Sequence, residues 1–84
     1  MITNRHIEIY KKYGGDGDGL IRCATPEEKK IMDYNSWSLI ENLLQDLFLI
    51  KKGISSLSFT ESINQKLIDN CDNKDTIQAL KEIL

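Results

Sequence analysis

The 84-residue chain has room for one domain around one core, and a chain this short buries only about 60–65% of the surface its unfolded form exposes. Little core remains to hollow out for a substrate cleft, which disfavours a self-contained enzyme and leaves a site at a dimer interface open. Eleven basic and thirteen acidic side chains are interspersed and sum to a charge of −2; the short pairs Lys11–Lys12, Lys29–Lys30 and Lys51–Lys52 read as solvated charge at helix ends or on polar faces, which disfavours nucleic-acid binding.

The first helix is expected from Thr3 or Asn4 to Tyr13. On a helical wheel Ile2, His6, Ile9, Tyr10 and Tyr13 share one face, with Ile7 on its flank and Arg5, Glu8, Lys11 and Lys12 pointing away. Gly14 and Gly15 end it, because glycine accepts the left-handed conformation that closes helices. From Gly14 to about Cys23 the spacing predicts a loop.

Thr25-Pro26-Glu27-Glu28 is a helix start. Thr25 can cap, Pro26 suits the first helical position, and Glu28 can reach back to complete a capping box. This short helix is expected to end near Asp33 or Tyr34, with Asn35 or Ser36 capping the next. The third helix, to Lys52 and Gly53, carries Trp37, Leu39, Ile40, Leu43, Leu44, Leu47, Phe48 and Ile50 over about half its circumference. A stripe that wide touches neighbours on several sides, which makes this the central post. Leu49 falls outside it, among Ser38, Asn42 and Asp46.

Ser58-Phe59-Thr60-Glu61 reads as a second capping box, opening a helix whose Phe59, Ile63, Leu67 and Cys71 repeat every four residues. Asn70 to Asn73 is a turn, and Asp72 or Asn73 caps a last helix bearing Ile77, Leu80, Ile83 and Leu84. The fold expected is all-α: one domain over residues 1–84, a compact bundle of about five helices with a Gly/Asp-rich loop after the first.

No apolar run approaches the roughly 18–20 residues that span a bilayer, and the N-terminus lacks a signal peptide's apolar region. The expectation is a cytoplasmic protein with no membrane partner, no nucleic-acid partner and no cofactor. Cys23 and Cys71 are too few for a disulfide scaffold and are expected as thiols. His6, the only histidine, has no co-ligand or base at motif spacing and reads as a packed core residue. Glu41, Asp46 and Glu61 fall on polar faces, where solvent keeps them ordinary.

Asp16-Gly17-Asp18-Gly19-Leu20-Ile21 resembles part of an EF-hand calcium loop. With Gly19 at the sixth position, Asp16 and Asp18 take the third and fifth, and the Leu20 carbonyl takes the seventh. Gly14 and Thr25 stand where the first aspartate and the final glutamate belong. If calcium bound, Asp16, Asp18 and Leu20 would be its ligands; the other reading is a glycine turn whose aspartates bond nearby amides. Asn35-Ser36-Trp37 resembles the D-S-L site of acyl carrier proteins, whose serine carries phosphopantetheine. Asn and Trp replace its Asp and Leu, and a plain N-cap also explains Ser36.

The segments IEIYKKYGGDGDGLIR and SWSLIENLLQDLFLIKKG (residues 7–22 and 36–53) are similar in size and style to small bacterial immunity proteins, encoded beside secreted or contact-delivered toxins. The resemblance implies a non-enzymatic inhibitor that binds its cognate toxin domain and blocks the active site. Many such toxins are basic nucleases, so acidic side chains would steer and seal the complex. Asp16, Asp18, Glu41 and Asp46 are the candidates for that role, with Arg22 orienting the first two. Trp37 and Leu49 would be apolar anchors if exposed. Monomer and dimer are both open.

Overall fold

The computed structural model describes residues 1–53 and 56–84. Six α-helices follow in order: α1 (Asn4–Lys12), α2 (Gly17–Cys23), α3 (Pro26–Ile31), α4 (Tyr34–Lys51), α5 (Leu57–Asn70) and α6 (Lys74–Glu82). The fold is an all-α bundle, and among the described residues the sole strand-type pairing is an isolated parallel bridge between Ile2 and Cys71.

Five of the helices stand close to where periodicity and capping put them. The sixth, α2, lies inside the segment read as a loop. Gly14 and Gly15 do end α1, with φ of 59° and 76°, but two residues suffice to turn the chain. Asp16 then caps a new helix by accepting from the Asp18 N–H at 3.0 Å, and Leu20 and Ala24 anchor it in the core.

The caps correct the expectations elsewhere. In α3 the Thr25–Glu28 capping box forms as read, with both reciprocal bonds present at 3.0 and 3.1 Å. For α4 the cap is Asp33, which accepts from the Ser36 N–H at 2.8 Å; Asn35 and Ser36 already lie inside the helix. For α5 the cap is Ser56, accepting from the Phe59 N–H at 3.1 Å, two residues before the expected Ser58. Asn73 caps α6.

Trp37, Ile40, Leu43, Leu44 and Leu47 of α4 are buried and Leu39 and Ile50 partly so, which makes α4 the central post. It packs on α5 and α6, while α1 packs on α6 and α3. Phe48 departs from the expected stripe: it is 46% exposed, with the Lys52 ammonium 5.3 Å from its ring centre. Leu49 is half-buried instead. On α1 the core residues are Ile7 and Ile9, so the buried face is rotated toward the position assigned to its flank. His6 is half-buried rather than core, and its Nδ1 accepts from the Thr3 N–H at 3.0 Å, closing the α1 cap.

Ile2 ties the N-terminus to the turn between α5 and α6. Its N–H donates to the Asn70 carbonyl at 2.6 Å, and its carbonyl accepts from the Asp72 N–H at 3.0 Å. The bridge holds the α5–α6 turn at the start of α1, and Leu80 of α6, which packs on α1, α4 and α5, is fully enclosed. Leu80→Ala removes a side chain from a site with no solvent to refill it. The variant should lose about 2–5 kcal/mol of unfolding free energy in a urea titration.

Candidate functional site

A half-open groove of about 580 Å³ runs between α2 and the first two turns of α4, within the range of ligand-sized pockets. One wall is Asp16 with Gly17, Asp18, Leu20 and Ile21 of α2. Opposite stands one face of α4, with Tyr34 and Glu41 at i and i+7 and Trp37 between them at i+3, at the bottom. Lys29, Met32 and Asp33 close the end.

Trp37 is the floor. It is 8% exposed, its ring centre lies 4.6 Å from that of Tyr10, and the two planes are inclined by 43°. Gly17 passes over the indole so closely that a methyl group there would sit 3.7 Å from Nε1. Two apolar side chains stand at the lip almost fully in solvent, Tyr34 at 83% and Ile21 at 69% exposure.

The rim is acidic. Asp16, Asp18, Asp33 and Glu41 line it against the one ammonium of Lys29, and none of the four is among the ion pairs of the described residues. Asp16 and Asp33 also cap helices, and the Ser36 N–H holds the Asp33 carboxyl below its usual value. Burial, and then the Glu41 charge, push the Tyr10 phenol upward.

The α2 wall is held at its base by Glu28. Its carboxylate accepts from the Thr25 N–H at 3.0 Å, the Tyr13 hydroxyl at 2.8 Å and the Lys12 ammonium at 2.9 Å. Lys12 and Tyr13 end α1, and Thr25 begins α3, so one carboxylate closes the excursion that carries α2. With the side chain 3% exposed, those donors hold its pKa down to about 2, the Thr25 N–H contributing most.

Of the residues singled out from sequence, Asp16, Asp18, Trp37 and Glu41 come together in this groove. Trp37 forms its floor rather than an exposed anchor. Arg22 is exposed on α2 outside the lining, and Leu49 and Asp46 lie farther along α4. Asp46 is half-buried, its carboxylate 3.7 Å from the Lys66 ammonium of α5. Tyr34, Ile21 and Asp33 were missed, although the i, i+3, i+7 spacing of Tyr34, Trp37 and Glu41 is visible in the sequence.

The other resemblances meet a different geometry. The segment of the calcium-loop resemblance is helical, and the Leu20 carbonyl accepts from the Ala24 N–H at 3.1 Å. No group of three or more His, Cys, Asp or Glu side chains among the described residues is placed to hold a metal ion. Ser36 is half-buried in the first turn of α4. Cys23 is exposed, whereas Cys71 is buried, which pushes its thiol pKa up. Among the described residues no helix is long and apolar enough to cross a membrane. No protein-family model, curated protein or solved structure matches this chain, and its function has to be read from its own residues.

A carboxyl whose folded pKa lies below its unfolded value adds stability above that unfolded value and loses it as pH falls. The Glu28 contribution is therefore complete above pH 4.5 and disappears as the pH drops through about 2. Thermal melts across that window should show an acid-side fall in midpoint that is smaller in Glu28→Gln. A wild-type acid limb unchanged by the substitution would assign the fall to other carboxylates.

Proposed function

We propose that the chain is a non-enzymatic protein-binding module that acts as an immunity-type inhibitor, occupying a basic surface of a cognate toxin domain. The observation that carries this reading is the groove. Its four carboxylates outnumber the single lysine and gather on one face of a chain whose total charge is only −2. A field concentrated in that way attracts a basic partner from a distance and orders its approach.

The apolar content supports a protein partner. Tyr34 and Ile21 stand in solvent on either side of the indole floor. Aromatic and aliphatic anchors ringed by polar groups are the usual centre of a protein interface. A nuclease-type toxin presents the complementary surface, because its substrate is a polyanion. An inhibitor with a carboxylate rim can occupy the same cations that would hold phosphates. The reading places the chain in the cytoplasm of a bacterial producer cell, beside the toxin it restrains.

Asp18 and Glu41 are the substitutions of choice, since neither appears in an ion pair or accepts a side-chain bond that shapes the fold, whereas Asp16 caps α2. The test is stopped-flow association with the toxin-like domain encoded beside this chain, over a range of salt. Association should be fast at low salt and fall steeply as salt rises. Asp18→Lys with Glu41→Lys should slow it by about tenfold or more at low salt, with less effect at high salt. Equal rates for wild type and double variant at every ionic strength would remove the groove from the interface.

A further inference from the structure

The indole of Trp37 adds a requirement that charge alone does not. Its Nε1–H donates to no acceptor among the described residues, although the side chain is more than nine-tenths buried. The N–H is not walled off either, since no side-chain nitrogen or oxygen in the described structure is both sealed from solvent and without a partner. Trp37 and Gly17 line the groove together, with Nε1 the nearest indole atom to the position of a Gly17 methyl. The groove therefore holds a nearly buried donor at its floor and, at its rim, four carboxylates that belong to no ion pair of the described residues.

A ligand that satisfies both must bring an acceptor down to the indole and positive charge up to the rim. A metal ion or a simple amine supplies no acceptor, and an anion is repelled by the carboxylates. A backbone carbonyl flanked by basic side chains supplies both. That carbonyl must be free, which disfavours a helix, where the carbonyls are engaged with N–H groups four residues on. Arginine suits the lip better than lysine, because its planar guanidinium can pair with carboxylates and lie against the exposed Tyr34 ring together.

We propose that the groove between α2 and α4 takes an extended, arginine-containing peptide segment of the partner, with the Trp37 indole N–H donating to one of its backbone carbonyls and an arginine seated among Asp18, Asp33 and Glu41. This rests on the groove being a protein-binding site, and it specifies the form in which the partner enters.

Trp37 is the only tryptophan, so its indole N–H gives a single side-chain signal in a nitrogen–proton correlation spectrum. The probe is a nonapeptide of alternating arginine and alanine, with the glutamate–alanine counterpart as control. The arginine peptide should move the indole signal downfield in a saturable way at low salt, and the glutamate peptide should leave it in place. Trp37→Phe keeps an aromatic ring beside Tyr10 and removes the N–H. The variant should remain folded, as its thermal midpoint will show, and bind the arginine peptide about tenfold more weakly, the loss of one good hydrogen bond.

Binding of the arginine peptide with an unmoved indole signal, or equal affinity in folded Trp37→Phe, would overturn the proposal. So would failure of the peptide to bind while the toxin-like domain associates in a salt-dependent, Asp18- and Glu41-dependent manner; that result leaves the protein-binding reading intact and shows a folded surface in the groove. If the peptide moves the indole but the toxin-like domain ignores the groove substitutions, the peptide site stands and the immunity reading falls.

Discussion

The groove depends on one carboxylate at its foot. Glu28 completes the capping box of α3 through the Thr25 N–H, and the same side chain takes the Tyr13 hydroxyl and the Lys12 ammonium at the end of α1. The chain between Tyr13 and Thr25 is thus closed at its base, and everything it carries, α2 and the outer wall of the groove, is placed by that closure. A carboxylate can be buried to this degree when its oxygens are met by several donors, one of them charged. The depressed pKa of Glu28 reports the same three donors.

Above that base, α2 is positioned by contact rather than by its own helical tendency. Seven residues, two of them glycine, form a marginal helix in isolation. It persists because Asp16 caps it, Leu20 and Ala24 enter the core, and Gly17 lies against the indole. The indole in turn is fixed by Tyr10. The opposite half of the molecule, where α1, α4, α5 and α6 meet and Ile2 bridges to Cys71, supplies the apolar core. One half supplies stability, and the other uses it to hold a wall against α4.

Much of this fold is legible in the residues, for a physical reason. Amphipathic period and capping chemistry are local, and they show α1, α3, α4, α5 and α6 directly. The Thr25 to Glu28 box is the clearest case, its residues and bonds agreeing in full. What escapes is set by distant partners. In α2 a run of glycines hides a helix with one buried leucine and no stripe. Ser58 has the capping-box partner Glu61 and Ser56 has none, yet α5 starts two residues earlier, with Ser56 as its cap. Phe48 and Leu49 stand about 100° apart on the wheel, at opposite edges of the polar–apolar boundary, and which of them turns inward depends on where the neighbouring helices lie. The burial of Trp37 likewise needs Tyr10 and Gly17, which stand far from it in the chain. Four of the seven candidate interface residues still converge in the groove, because Asp16 and Asp18 stand on one wall and Trp37 and Glu41 on the other.

The central claim is that this groove is the face the protein uses. Hydrogen–deuterium exchange on the complex with its partner tests it most directly, since it reads the occupied surface without any substitution. The account predicts new protection confined to α2 and the first two turns of α4, the segments lining the groove, with α5 and α6 unchanged. Protection of α5 and α6 with α2 exchanging as in the free protein would contradict it.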